Sequence, residues 1–284
     1  MSKLYDIRSG TLVKSKLYNN GLILKDVLNK DISDKDKVIK EIFTGNKQGF
    51  WYDPSDKSML FQDEAGTVPV TKDGDPVALM RDKSGNGYHL TQSVINNRPV
   101  YRTDGVLHSI DFSGGDNYFN CFTPIPTTPE DRVLSVGLRH NTRRPDEWGS
   151  HVVEAFGPGP SDFLNLSMGF FERANFFATY AKYQHAYSYD YDPYEKNLVL
   201  TSLALGTNLE LKANGTKLVT ENTYREGGYT IHSGFRVGCS GTAGERVLNG
   251  KIFGMVFILK TLTAEEISSL ETYLANQSGA TLGQ

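Results

Sequence analysis

Residues Gly250 to Lys260 read Gly-Lys-Ile-Phe-Gly-Met-Val-Phe-Ile-Leu-Lys, a nearly continuous apolar run rich in β-favouring side chains. It falls well short of the ~18 apolar residues that a membrane-spanning helix needs. Both of its alternating sets of positions are apolar, so a strand here must be covered on both faces. The run therefore demands a fold with a layer on either side of a sheet. Upstream, shorter stretches repeat the theme. Candidate strands are Phe50-Trp51-Tyr52, Leu107 to Phe112, Asn117 to Phe122, Arg132 to His140, His151 to Phe156, Leu164 to Phe171 and Asn175 to Lys182. Asn197 to Leu205, Leu209 to Ala213, Lys217 to Glu221 and Tyr229 to Gly238 continue the series, with Asn214-Gly215 as a hairpin turn. With 28 Gly, 15 Tyr and 15 Phe, the chain favours many short strands and Gly-bearing turns over a helical bundle. The fold class predicted is all-β, a two-sheet antiparallel sandwich.

Both ends depart from this pattern. Thr11 to Val27 alternates apolar and polar residues around Asn20-Gly21, a hairpin signal. A short helix follows, with Ser33 suited to cap it, Val38, Ile39, Ile42 and Phe43 as its apolar stripe, and Gly45 suited to its exit. A hairpin and a short helix bury too little to stand alone. Residues 1–45 are thus expected to be a docking or attachment segment, and 46–284 the sandwich. At the other end Thr263-Ala-Glu-Glu266 forms a capping box ahead of Ile267, Leu270 and Leu274, which share one helix face.

A formal charge of -3 carries no polyanion-binding signal, so nucleic acid is not an expected partner. The N-terminus lacks the apolar core of a secretory signal, and no membrane insertion is expected. Synthesis in a host cytoplasm is the expectation. Cys121 and Cys239, 118 positions apart, form no framework and are expected to be buried free thiols.

Three motif groups occur in order. They are Trp51-Tyr52-Asp53-Pro54-Ser55-Asp56 with Asp82-Lys83-Ser84-Gly85-Asn86-Gly87-Tyr88-His89, then Ile110-Asp111-Phe112-Ser113-Gly114-Gly115-Asp116-Asn117-Tyr118, then Gly250-Lys251-Ile252-Phe253-Gly254 with Leu262-Thr263-Ala264-Glu265-Glu266-Ile267. Together they resemble the laminin G-like branch of the concanavalin A-like lectin/glucanase superfamily, over residues 49 to 279. The resemblance implies a concanavalin A-like jelly-roll sandwich with a short C-terminal helix and a small N-terminal hairpin/helix extension. The first block resembles domains of bacteriophage virion and tail-associated proteins. Read physically, the motifs are scaffolding. Asp82 and Ser84 close turns onto backbone amides, Gly85 and Gly87 supply positive-φ positions, and His89 is expected to turn its ring inward.

The laminarinase-type glucanases of this superfamily carry Glu-x-Asp-x-x-Glu on a strand, and no Glu here is followed two positions later by Asp. Glu154 and Glu172 lie on or beside candidate strands without that pattern. Metalloprotease spacing, a Gly-x-Ser-x-Gly elbow, a phosphate loop and a four-Cys zinc site are missing too. The expectation is accordingly non-enzymatic.

Relatives of this fold often bind Ca²⁺ in edge loops, and Asp82, Asn86 and Asp116 are the candidate metal ligands, with Asn117 beside them. For glycan or partner contact the candidates are Trp148 in a polar loop and the tract Tyr180 to Tyr194. That tract holds six tyrosines, including Tyr183, Tyr187, Tyr189 and Tyr191 beside His185 and Asp190. Tyrosine serves sugar stacking, protein contact and packing of its own sheet alike.

These readings predict a non-enzymatic phage virion accessory protein, a capsid decoration or fibre/tail-associated chain on the virion surface. It would dock on other virion proteins through residues 1–45, as a homo-oligomer or part of a larger assembly. The alternative is a carbohydrate-binding adhesin for host surface polysaccharide. A glycoside hydrolase ranks third.

Overall fold

The computed structural model describes residues 4–5, 12–13, 36–45, 47–112, 115–125, 131–141, 149–156, 166–171, 176–179, 185–206, 208–222, 233–240 and 243–283. The chain divides into two compact units, residues 1–41 and 42–284.

In the first unit β1 (Leu4–Tyr5) pairs antiparallel with β2 (Leu12–Val13). The Asn20-Gly21 turn and Ser33 lie outside the described residues. Helix α1 (residues 36–42) buries Ile39 and Ile42 and gives way to Gly45 at φ +74°.

The second unit is a two-sheet antiparallel sandwich, as the alternation predicts. Its strands are β3 (Gly49–Tyr52), β4 (Leu60–Phe61), β5 (Leu79–Met80), β6 (Leu90–Thr91), β7 (Val100–Thr103), β8 (His108–Asp111), β9 (Phe119–Cys121), β10 (Arg132–His140) and β11 (Gly149–Phe156). Then follow β12 (Ser167–Phe171), β13 (Phe176–Thr179), β14 (His185–Ser188), β15 (Asn197–Leu205), β16 (Asn208–Ala213), β17 (Thr216–Asn222), β18 (Gly234–Val237) and β19 (Gly250–Ile258). One sheet has the order β17-β16-β15-β10-β19-β8-β7, with β3 also paired to β19. The other has the order β14-β13-β12-β11-β18-β9-β6-β5-β4.

Alternate residues fill the space between the sheets. Phe50 shows how: its ring lies 4.7 Å from Phe235 of the facing sheet and 4.9 Å from Tyr52, centroid to centroid. The doubly apolar run is β19, and it lies inside its sheet between β10 on one edge and β3 and β8 on the other. Met255 and Phe257 enter the inter-sheet core. Helix α2 (Ala264–Ser278) covers the outer side, with the predicted capping box formed by Thr263 and Glu266 and with Gly279 at φ +72° closing its end. Gly137 of β10 and Gly254 of β19 are register partners beneath it, where a Cβ would come 3.1 Å from the Leu274 carbonyl and 3.0 Å from the Leu274 side chain. Trp51 also faces the helix, donating from its indole nitrogen to the Tyr273 hydroxyl at 3.2 Å. Cys121 and Cys239 are buried free thiols, their pKa values pushed up to about 11 and about 12 by burial.

His89 departs from expectation. It is exposed, and its Nδ1 accepts from the Asp82 amide at 3.1 Å, because Tyr88 takes the inward position one residue earlier.

Candidate functional site

On the nine-stranded sheet the period of two sends Phe119, Cys121, Phe235, Val237, Val153, Ala155 and Met168 into the core. The residues between them face outward and fall into one register row: Thr91, Asn120, Arg236, Glu154 and Ser167 are successive cross-strand partners. Thr179 and His185 occupy the next two positions of that row.

Two positions along from Asn120 and Glu154, on the same face, stand Phe122 and Phe156. Phe122 is 67 % exposed, and its ring meets Phe156 edge-on at 6.1 Å. The Arg236 guanidinium lies 4.4 Å from the Phe156 centroid, and its Nε donates to Asn120 Oδ1 at 2.9 Å. An accessible aromatic ring is thus held beside an amide and a planar cation. That combination suits a saccharide, whose C–H faces pack on rings while its hydroxyls exchange hydrogen bonds with the groups alongside.

Glu154, the register partner of Arg236, is buried, with His151 Nδ1 3.6 Å from its carboxylate. Burial, and secondarily Arg246, pushes the His151 pKa down to about 3. The imidazole is therefore neutral at neutral pH, and its contact with Glu154 is not an ion pair. Glu154 is the only acidic residue among the described strand residues of this sheet. Nearby, His140 Nε2 and Ser150 Oγ are 2.8 Å apart, but both side chains are buried and the His140 ring packs edge-on against Phe170 and Tyr194. Burial holds its pKa at about 4. The contact of the His140 ring with Phe170, a core residue, places this pair in the core.

The expected contact residues are only partly drawn together. Trp148 and Tyr183 lie outside the described residues, as does Glu172. His185 and Tyr187 are on β14, the edge strand, three strands beyond β11. Tyr189 is 61 % exposed, its ring 6.1 Å from that of Tyr187, and Asp190 beside it is exposed. Tyr191 instead packs against the core, with the Lys196 ammonium 5.0 Å over its ring. Asn120, Phe122, Phe156 and Arg236 were not legible as a site. Asn120 and Arg236 stand 116 positions apart and meet only through strand register.

The expected metal ligands are differently placed. Asp82 is buried and accepts from the Trp51, Ser84 and Tyr88 amides at 2.9, 2.9 and 3.1 Å and from Ser84 Oγ at 2.7 Å. Asn86 donates to the Lys47 and Gly49 carbonyls, both at 2.8 Å. These two side chains tie β3 to the loop that follows β5. Asp116 is exposed after β8, and Asn117 donates to the Arg98 carbonyl at 2.9 Å. Among the described residues no three His, Cys, Asp or Glu side chains gather in a metal-holding group.

No family model matches the chain. No curated protein matches it either. Solved structures do. A sialidase of Trypanosoma rangeli in complex with the inhibitor DANA aligns at TM-score 0.53 and 12 % identity, over 89 % of this chain and 39 % of the sialidase. An arabinofuranosidase complexed with arabinofuranosyl-alpha-1,2-xylobiose aligns at TM-score 0.53 and 11 % identity, over 74 % of this chain and 52 % of the enzyme. A GH54 α-L-arabinofuranosidase mutant aligns at TM-score 0.53 and 10 % identity, over 72 % and 51 %. The chain thus spans about two fifths of the sialidase and half of the arabinofuranosidases. At these identities the likeness shows the fold, a β-sandwich.

This finding corrects the non-enzymatic expectation and the virion accessory role built on it. The sialidase and the arabinofuranosidases compared above are named as glycosidases. Missing Glu-x-Asp-x-x-Glu excluded one arrangement of carboxylates on one strand. It had no bearing on catalytic groups supplied by different strands.

Proposed function

We propose that the chain serves glycoside hydrolysis, and that the Phe122–Phe156–Arg236–Asn120 patch is the surface on which it holds a glycan. The observation that carries this reading is the exposed Phe122 ring fixed beside a guanidinium and an amide on the outer face of a sheet. Glu154, the register partner of Arg236, is the one carboxylate that the described strands of this sheet bring beside the patch, and it is buried. Glycosidases ordinarily use two carboxyl groups across the scissile bond, so the patch supplies at most one of them from its strands. The likeness to sialidase and arabinofuranosidase structures supports the substrate class, and the lectin-like resemblance of the motifs supports a glycan-holding face.

Release of 4-nitrophenol from a panel of 4-nitrophenyl glycosides, the α-L-arabinofuranoside and the sialoside first, tests the hydrolytic part. Release by the intact chain that falls at least about a hundredfold in Glu154→Gln is expected, in line with loss of an acid–base group. Release unchanged by that substitution, or none from any member of the panel, counts against it.

A further inference from the structure

On the opposite sheet, beyond the C-terminal end of α2, the outer face carries a pocket of about 370 Å³. Three of its lining residues share another register row: Asn197 of β15, Arg139 of β10 and Lys251 of β19 are successive cross-strand partners, and Asp111 of β8 follows outside the lining. Arg139 and Lys251 therefore stand side by side, a like-charge pairing that costs stability unless something offsets it. Neither side chain has a carboxylate within 4 Å among the described residues. Asp111, next along the row, turns to Arg102 Nε at 3.4 Å, and the Asn197 amide donates to the Ser278 carbonyl at 2.6 Å.

The acids on the pocket wall are also engaged. Asp73 lies 3.5 Å from Arg102 and accepts the Thr103 amide at 2.9 Å. Asp104 accepts the Val106 and Leu107 amides at 2.9 and 2.8 Å, which, with His108 nearby, hold its carboxyl below the usual range. Three cations and two carboxylates line the space, and Asp111 beside it is engaged by Arg102, so among the described residues the lining cations with no carboxylate within 4 Å are Arg139 and Lys251.

We propose that this pocket binds the anionic group of an acidic saccharide, seated between Arg139 and Lys251. A planar guanidinium beside a point-charge ammonium suits a carboxylate or sulfate, and the ligand would relieve the repulsion between them. The hydroxyls and amides of Thr103, Ser109 and Asn197 around the pair suit the ring that carries the anion. That the anion is borne by a sugar rests on the glycan reading above. The anion site itself does not.

Calorimetric titration of the intact chain with sodium glucuronate, inorganic sulfate and glucose, at low and at high sodium chloride, provides the test. Expected is saturable glucuronate binding that weakens with salt, is absent for glucose, and falls about tenfold or more in Arg139→Gln and in Lys251→Gln. Sulfate binding without glucuronate binding overturns the saccharide assignment. No saturable binding of either anion, or binding indifferent to both substitutions, overturns the site. Both variants remove like-charge repulsion, so they are expected to melt no lower than the parent. Should either fail to fold, Lys251→Arg keeps the charge and must keep the binding.

Discussion

At the scale of single residues, Lys83 organises the loop under the first strand. Its ammonium lies 2.8 Å from Asp53 with both side chains buried, 3.2 Å from Asp56, and 4.3 Å from the Trp51 ring centroid. Lys83→Met keeps the stem but strands the Asp53 carboxylate in the interior. Removal of one partner of a buried pair costs about 3 kcal/mol, readable as a shift in urea midpoint at constant m-value. The buried histidines set a pH dependence. Burial holds His140 at about 4 and His151 at about 3, against an ordinary value near 6.5. The unfolded chain takes up these protons first, so their contribution is complete above pH ~6.5 and is lost as pH falls toward the folded values. A decline of up to about 1.4 kcal/mol per pH unit for each histidine is expected between pH 6 and 4.5. That window lies above the titration of Asp56 and Asp75, whose carboxyls are lowered by hydrogen bonds. Urea midpoints constant from pH 6.5 to 4.5 would contradict the burial of both rings. Neither role was visible in sequence: Lys83 read only as part of a turn motif, and His140 and His151 only as ends of candidate strands.

Among the elements, the doubly apolar run was the most legible, because burial on both faces leaves no alternation and the chain had to supply a cover. The cover is α2, and its seat is the Gly137–Gly254 pair. Gly137→Ala places a methyl 3.1 Å from the Leu274 carbonyl, a backbone atom that cannot turn aside. Overpacking of about 1–3 kcal/mol is expected, as a lowered thermal midpoint, whereas a neutral outcome would mean that α2 does not rest on β10. Strands β10 and β15 fall where their periodicity places them, at Arg132–His140 and Asn197–Leu205. By contrast β4, β5 and β6 are two residues each, and β7 has only four. Their identity comes from partners supplied by distant segments, which no local pattern records. The same limit hid the candidate site. Phe122 and Phe156 each looked like the end of an ordinary strand, and only the β9–β18–β11 register sets them beside Arg236.

For the whole molecule, the two sheets present unlike outer faces. One carries an aromatic and polar row that includes Glu154, and the other carries α2 and a basic pocket. A sandwich of this shape occurs in sialidase and arabinofuranosidase structures at 10–12 % identity, so the fold alone leaves function to the faces. The account stands on the claim that a glycan lies against Phe122. The direct measurement is saturable binding of an arabinose- or sialic-acid-bearing oligosaccharide to the intact chain, compared with Phe122→Ala. The ring is already two-thirds exposed, so its removal should leave the unfolding midpoint within about 0.5 kcal/mol. Binding that falls at least about fivefold in a normally folded Phe122→Ala protein is the predicted result, for the loss of a stacked ring of about 1–3 kcal/mol. Equal binding by the two proteins would contradict the claim and move the glycan surface elsewhere.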